Sequence, residues 1–300
     1  SINNSADVGT ATFTVAANNT LAGSALQLDG HSASGAGLTA VSALHTTPGA
    51  DLSNLTTTSV TAAFDGDATF TGTIGTAVVT VGSGNTMTAA AVKVVNETIN
   101  KAGTGKLAVT LSAATDTAEN LTTISGDAIN SVTVLDNLTF AGTLHGTVAT
   151  TVADTVTLQT TAAIASGKTI NEAADTNATT AITALQDTVT ADLDSISTNS
   201  VTAAATATDT TVNFEGKLGK AVVAITGGDG GGNDIFNVDS ALDMGTATFT
   251  VAENNTLQGT ADQLTTVVAS GAGLTAVTAL HTTATADLSG LATTSVTAAA

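Results

Sequence analysis

The 300-residue sequence lacks cysteine, tryptophan and tyrosine, has one proline, and contains only six basic residues, all of them lysines. Without cysteine, a disulfide framework, a cysteine zinc site and a thiol nucleophile are excluded. Nucleic-acid binding needs clustered basic side chains on phosphates and aromatic side chains that stack on bases. A formal net charge of −19 with seven Phe as the only aromatic residues provides neither, so no nucleic-acid partner is expected.

Long apolar runs are also missing. The most apolar stretch, Met87 to Val95, is interrupted by Lys93. A membrane-spanning helix needs about 20 predominantly apolar residues, so no membrane span is predicted. The chain opens Ser-Ile-Asn-Asn, without a charged and then apolar signal segment. We therefore expect it to be a processed product or a segment of a longer protein.

Three small residue types dominate what is present. The 64 Thr, 56 Ala and 29 Gly make up about half of the chain. Only 10% of residues are charged and 42% are hydrophobic, so the chain is apolar enough to bury a core and is not expected to be disordered. With so few aromatic residues, that core must be thin and built from Val, Leu, Ile and Ala.

A long internal repeat is the most informative feature of the sequence. The segment 8–64 returns as 244–300, displaced by 236 residues, and 42 of the 57 aligned positions are identical. Self-similarity at this level indicates a repeat array. The chain contains a little over one period, and we expect the array to continue beyond it.

Shorter repeats divide that period. Ser-Val-Thr begins at Ser59, Ser131, Ser200 and Ser295, and a Phe-x-Gly phrase follows three of the four tripeptides, at Phe70, Phe140 and Phe214. An Ala-Asp-Leu phrase precedes three of the four, with its acid at Asp51, Asp192 and Asp287. The predicted organisation is the end of a preceding repeat (1–58), repeat unit 1 (59–130), repeat unit 2 (131–199), repeat unit 3 (200–294, with a glycine-rich insertion at 227–234) and the start of another unit (295–300).

Alternating residues predict many short strands. The clearest runs of period two are Ala11–Val15, Ala68–Thr71, Ala77–Val81, Leu107–Leu111, Val132–Val134 and Val156–Leu158. One or two helices are predicted to interrupt the strands, and the best candidate is Ala89–Ile99, where Val92, Val95 and Ile99 have helical spacing. Short strands with small residues and repetition favour an all-β, parallel β-solenoid. Tandem β-sandwich, immunoglobulin-like domains are the alternative, although such domains are usually longer and richer in aromatic residues.

The insertion in repeat unit 3, GGDGGGNDIF from Gly227, resembles the glycine-rich, calcium-binding nonapeptide of RTX proteins. In such turns glycine leaves backbone carbonyls accessible and an aspartate supplies a charged carboxylate, and these are the oxygen ligands that Ca²⁺ prefers. The resemblance implies that Asp229, Asn233 and Asp234 are candidate Ca²⁺ ligands. A glycine turn that joins two strands without a metal is the alternative interpretation.

Other polar residues give weaker candidates. Asp65 and Asp67 form a second acidic turn, which either chelates a cation or is simply solvated. The recurrence of Asp51, Asp192 and Asp287 at one place in the repeat indicates a structural turn. Because His45 recurs as His281 but is replaced by Gln186 in the middle copy, we expect no catalytic histidine, and the sequence has no motif typical of an enzyme.

The composition as a whole resembles bacterial surface-layer proteins and giant repetitive adhesins, and the glycine-rich turn resembles their RTX elements. The resemblance implies a protein exported to the cell surface. We therefore expect a non-enzymatic, extracellular structural repeat protein that self-associates in a filament, a surface layer or a stalk. The alternative is an adhesin stalk that carries its ligand-binding domain elsewhere, with cell-surface glycans as partners.

Overall fold

The structure is a computed structural model and describes residues 1–3, 6–174, 177–207, 211–227, 234–238, 243–282 and 285–299. The chain folds as an all-β, parallel β-solenoid of about 13 turns, called coils below, as the sequence predicts. The strand pairs in the described residues are parallel, for example β3 (Ala33–Ser42) with β4 (Leu55–Phe64). Immunoglobulin-like sandwiches consist of antiparallel sheets, so the sandwich alternative does not apply.

The strands are short, and one-turn helices interrupt them at three places. Besides β3 and β4, the strands are β1 (Phe13–Thr14), β2 (Thr20–Ser24), β5 (Ala68–Phe70), β6 (Ala77–Val81), β7 (Thr86–Ala90), β8 (Ile99–Lys101), β9 (Lys106–Leu111), β10 (Ile129–Val134), β11 (Leu138–Phe140), β12 (Thr150–Val152), β13 (Thr157–Thr161), β14 (Ile170–Glu172), β15 (Thr179–Thr183), β16 (Ser200–Ala207), β17 (Thr211–Phe214), β18 (Val222–Gly227), β19 (Asp234–Val238), β20 (Thr248–Val251), β21 (Asn255–Thr260), β22 (Val268–Thr278) and β23 (Leu291–Ala298). The helices are α1 (Ala25–Leu28), α2 (Ala162–Ala165) and α3 (Ala261–Leu264), and 3₁₀ turns lie at Leu44–Thr46, Ala91–Lys93, Leu121–Thr123, Leu185–Asp187 and Leu280–Thr282.

The described residues form two compact bodies, one of residues 1–135 and 142–148 and the other of residues 136–141 and 149–300. In the first body, β1, β3, β4, β6 and β8 follow one another in one sheet, with β2 beside β3. A second sheet in that body runs through β10, β9, β7 and β5.

The second body contains the largest sheet. Its strands follow the order β11, β13, β15, β16, β18, β20, β22, β21, β19, β17, and β23 pairs with β22. The first part of β22 pairs with β20 and its last part with β21, and its register with β23 shifts between Gly271 and Leu274. The same shift occurs between Gly35 and Leu38 in β3, its counterpart 236 residues earlier.

All six strands predicted from alternation are present, and β6 has the predicted bounds, Ala77–Val81. The helix predicted at Ala89–Ile99 is wrong. Ala91–Lys93 form only a 3₁₀ turn between β7 and β8, and Asn96 has a φ of +66°, which an α-helix cannot contain. Val92, one of the three residues with helical spacing, is exposed.

The core lies inside the coils and is formed by the inward side of each strand. In β6, for example, Ala77, Val79 and Val81 are buried, whereas Val78 and Thr80 are half-buried. The largest fully buried side chains are the five phenylalanines Phe64, Phe70, Phe140, Phe214 and Phe249. Three of these belong to the repeated Phe-x-Gly phrase, so the repeat places one aromatic ring in the core at each occurrence.

The glycine of that phrase is required by close backbone approach. A Cβ at this position would lie 2.1 Å from a backbone carbonyl oxygen of the preceding coil, a distance that no real Cβ contact adopts. The contacts are Gly72 with Ala50, Gly142 with Glu119 and Gly216 with Ala191. Glycine therefore permits the hydrogen bonds that join these coils.

We expect Gly142→Ala to destabilise the first body by about 1–3 kcal/mol, since a methyl group there displaces backbone and not a flexible side chain. The measurement is urea-induced unfolding followed by circular dichroism. Gly146→Ala is the matched control, because no atom lies within 4 Å of its Cβ position. Equal midpoints for the two variants would contradict this account.

Candidate functional site

The repeated phrases of the sequence meet on adjacent coils. The Leu52 N–H donates to the carbonyl of Thr73 at 2.9 Å, and the Thr73 N–H donates to the carbonyl of Ala50 at 3.0 Å. The Ala-Asp-Leu phrase thus pairs with the residue that follows the glycine of the Phe-x-Gly phrase. The same ladder joins Asp51 to Thr73, Asn120 to Thr143 and Asp192 to Lys217.

The repeated aspartates form turns, as the sequence indicates. Each carboxylate accepts the backbone N–H of the residue two positions later: Asp51 from Ser53 at 2.9 Å, Asp192 from Asp194 at 3.1 Å and Asp287 from Ser289 at 3.0 Å. Hydrogen bonds from the Ser53 side chain and backbone lower the pKa of Asp51, and Ser289 lowers the pKa of Asp287 in the same way. These acids are therefore turn elements.

Pairs of threonine hydroxyls form a second repeated contact. The Oγ1 atoms of Thr180 and Thr198 lie 2.9 Å apart, and both side chains are fully buried. The Thr198 hydroxyl also donates to the carbonyl of Ser200, the first residue of β16, at 3.0 Å. Equivalent pairs at 2.9 Å are Thr39 with Thr57 and Thr275 with Thr293. Threonine in these positions satisfies hydrogen bonds inside the coil stack, a role that the alternation pattern alone does not reveal.

Of the three calcium candidates in the glycine-rich insertion, Asp229 and Asn233 lie outside the described residues. Asp234 is described, begins β19, and is 1% exposed. Opposite it in the ladder is Asn255, the first residue of β21. Asn255 is 2% exposed and was not identified from the sequence.

Asp65 and Asp67 lie on the exposed turn between β4 and β5. The Asp67 carboxylate accepts the backbone N–H of Thr86 at 2.6 Å, which links it to the strand β7. Within the described ranges, no three His, Asp or Glu side chains come together as a metal-binding group. The glycine-rich segment and this turn are therefore separate features.

The histidines have different neighbours and do not share a site. The His45 ring packs against Phe64 at 6.2 Å between centroids and is half-buried, whereas its repeat counterpart His281 is exposed. In the middle copy, Gln186 accepts the Thr206 N–H at 3.0 Å. The repeat position of His45 and Gln186 therefore contacts the next coil, and the equivalent His281 is exposed.

Two surface cavities, of about 380 and 330 Å³, contain no acid or base. The first lies over β2, β3 and β4 and is lined mainly by Ala, Ser and Thr. The second lies beside α3 and is lined by residues such as Thr246 and Gln263. Neither cavity carries the side chains that general acid–base catalysis requires.

Comparison of the chain with protein-family models, with curated proteins and with solved structures finds no match. Among the described residues, no helix is long and apolar enough to span a membrane. A functional proposal must therefore be based on the geometry of the coils.

We expect Thr198→Val to lower the free energy of unfolding of the second body by about 1–3 kcal/mol, because it leaves buried polar groups of Thr180 and Ser200 without their partner. Chemical denaturation of the full chain measures this effect. Thr206→Val is the control, since Thr206 is exposed and such substitutions change stability by less than about 0.5 kcal/mol. The account fails if both variants unfold at the midpoint of the unaltered chain.

The turn aspartates predict a dependence on pH. Because the folded-state pKa of Asp51 is below its ordinary value of 3.8, its carboxylate stabilises the fold above that pH and the contribution is lost as the pH falls through the lowered value. Asp51→Asn retains an oxygen acceptor for the Ser53 N–H but does not titrate, so its stability should fall less on acidification below pH 3.8. Thermal unfolding across this range tests the prediction. Asp287→Asn should behave alike, and unchanged pH profiles in both variants would refute the assignment.

Proposed function

We propose that this chain is a non-enzymatic, extracellular structural repeat protein that self-associates through its coils in a filament, a surface layer or a cell-surface stalk. The observation that carries the proposal is that strands of successive repeats pair in continuous parallel ladders, so that each repeat covers a sheet edge of its neighbour. The resemblance in composition to surface-layer proteins and adhesins supports the location at the cell surface.

The first open edge is β23. Its counterpart β4 has the same register with the preceding strand, since Leu38 pairs with Ser59 in one copy and Leu274 pairs with Ser295 in the other. On its other side β4 pairs with β6, whereas among the described strands β23 pairs only with β22. Val60 is therefore 2% exposed and its counterpart Val296 is 43% exposed. An apolar edge of this kind favours pairing with a strand of a further repeat, in the same chain or in a second copy.

The second open edge is formed by β1 and β2, which pair with β3. Their counterparts β20 and β21 have neighbours on both sides, β18 and β22 for β20 and β19 and β22 for β21. As a result, Phe249 is fully buried and the equivalent Phe13 is half-buried. Edges of this kind pair with a further repeat, either of the same chain or of a second copy, and continued stacking of repeats extends into filaments.

The distribution of functional groups is consistent with a structural role. The polar side chains that recur with the repeat are used in turns and coil-to-coil hydrogen bonds, as Asp51 and Thr198 are. A catalytic group has no need to recur in this way. Stacking needs such groups at each coil, so repetition of sequence and repetition of contact have the same cause.

We expect the 300-residue chain to form end-to-end oligomers with increasing concentration, measured by analytical ultracentrifugation and electron microscopy. Val296→Lys should prevent this, because a charge on the open edge opposes pairing. Leu135→Lys is the matched control: Leu135 is 48% exposed but lies on neither edge, so the variant should assemble. A chain that stays monomeric at all concentrations would disprove self-association.

Two further measurements separate the alternatives. Low-dose electron microscopy of the native cell surface should find the protein there, and its presence only as a soluble cytoplasmic monomer would contradict the proposal. Binding of the isolated chain to cells or glycans, without assembly, would favour an adhesin over a filament or surface layer.

A further inference from the structure

The imidazole ring of His31 lies between two backbone carbonyl groups of the first body. Its Nδ1 is 2.8 Å from the carbonyl oxygen of Asp29, the residue that ends α1. Its Nε2 is 2.8 Å from the carbonyl oxygen of Gly9, in the turn before β1. The ring also lies beside Phe13 of β1, with 6.4 Å between the ring centroids. His31 therefore joins the turn before β1 to the coil that follows it.

Both contacts can be hydrogen bonds only when the ring is charged. A carbonyl oxygen accepts hydrogen bonds and cannot donate them, so each contact needs a proton on the ring nitrogen that makes it. A neutral imidazole carries one N–H group, whereas the imidazolium cation carries two. The neutral ring thus makes one of the two hydrogen bonds and places the lone pair of its other nitrogen against an oxygen. The cation makes both.

The charged residues of the elements around the ring are acids. Asp7 lies in the turn, and its carboxylate accepts the Gly9 N–H at 2.9 Å. Asp29 lies on the coil of the ring itself, and its carboxylate accepts the Asp51 N–H from the next coil at 2.8 Å. The segment 1–55, which supplies these elements, contains no lysine. Negative charge in the surroundings favours the cationic form of an imidazole.

The second copy of the repeat has the same backbone turn without the histidine. Gly9 and its counterpart Gly245 have φ angles of +55° and +54°, and Val267 takes the position of His31. Gly245, Val267 and Thr265, the counterpart of Asp29, line the cavity of about 330 Å³ beside α3. The turn therefore forms with either residue, and the histidine is not needed for the repeat to fold.

We propose that His31 is a pH-sensitive clamp, which fastens the turn before β1 to the next coil when its ring is protonated and releases one contact when the proton leaves. An unperturbed imidazole changes charge at about pH 6.5. Because the folded chain holds this proton through two hydrogen bonds, the clamp stabilises the coil at lower pH, and the contribution is lost as the pH rises through the titration of the ring. The direction is opposite to that of the Asp51 turn. Since β1 lies at the end of its sheet, acidification orders a sheet edge.

Hydrogen exchange of the full chain tests the proposal. The Phe13 N–H donates to the Ser32 carbonyl at 2.9 Å, so its protection factor reports whether β1 is docked. Lowering the pH from about 8 to about 5, the range in which histidine titrates, should raise this factor about threefold to tenfold, the equivalent of one further hydrogen bond. His31→Val gives the first copy the residue of the second, so this variant should fold and show no such rise.

Nuclear magnetic resonance of isotope-labelled histidine rings gives a second readout. At about pH 5, both ring N–H protons of His31 should be slowed in exchange with water, whereas the exposed His281 should show no slowed ring proton. Val267→His places a ring at the equivalent position and should produce two more slowed protons. The proposal is overturned if Phe13 protection in His31→Val follows pH as in the unaltered chain, or if fewer than two ring protons of His31 are slowed.

Discussion

The parallel backbone ladder between adjacent coils is the constraint on which the structure depends. Each coil can pair with the next only where the two backbones approach closely, and a net gain of about 0.5–1.5 kcal/mol per hydrogen bond accumulates over many coils. The approach excludes a side chain where Gly216 faces the Ala191 carbonyl. Because the same approach is required at every such contact, its glycine recurs with the Phe-x-Gly phrase. The recurrence of this glycine in the sequence therefore reflects a steric requirement that recurs from coil to coil.

Side-chain chemistry follows from the same ladder. Turns between strands leave backbone groups that need partners inside or beside the coil stack, and short polar side chains supply them. The Asp51 turn and the Thr180–Thr198 pair are examples, and both are repeated elsewhere in the chain. The fold also tolerates local strain at a repeated position, since Ala43, Ala184 and Ala279 all have a positive φ before a 3₁₀ turn. Such strain costs about 1–2 kcal/mol at each alanine and persists because the ladders on both sides fix the turn.

Sequence reasoning succeeded where the pattern was local and failed where neighbours decided. Period-two alternation located β6 because each strand exposes one side to the core irrespective of its partner. Spacing could not distinguish a helix at Ala89–Ile99 from a 3₁₀ turn, since Ala91 and Val94 meet the core in either case and the break comes from the backbone of Asn96. Asn255 could not be identified at all. It lies in the same Asn-Asn-Thr-Leu context as the exposed Asn19, and the coil that contains β19 distinguishes the two environments.

Stacking an acidic chain also raises an electrostatic problem that the fold must solve. A formal charge of −19 is held by coils whose equivalent positions lie one above another, and like charges so placed destabilise the compact state. One solution is a salt bridge: the Lys217 ammonium lies 3.2 Å from the Asp192 carboxylate, and Asp192, with Asp194 and Asp243, raises the pKa of Lys217. With six lysines in the chain, this solution is available at few coils. Solution cations are the other source of positive charge, and they screen the repulsion between exposed carboxylates on neighbouring coils.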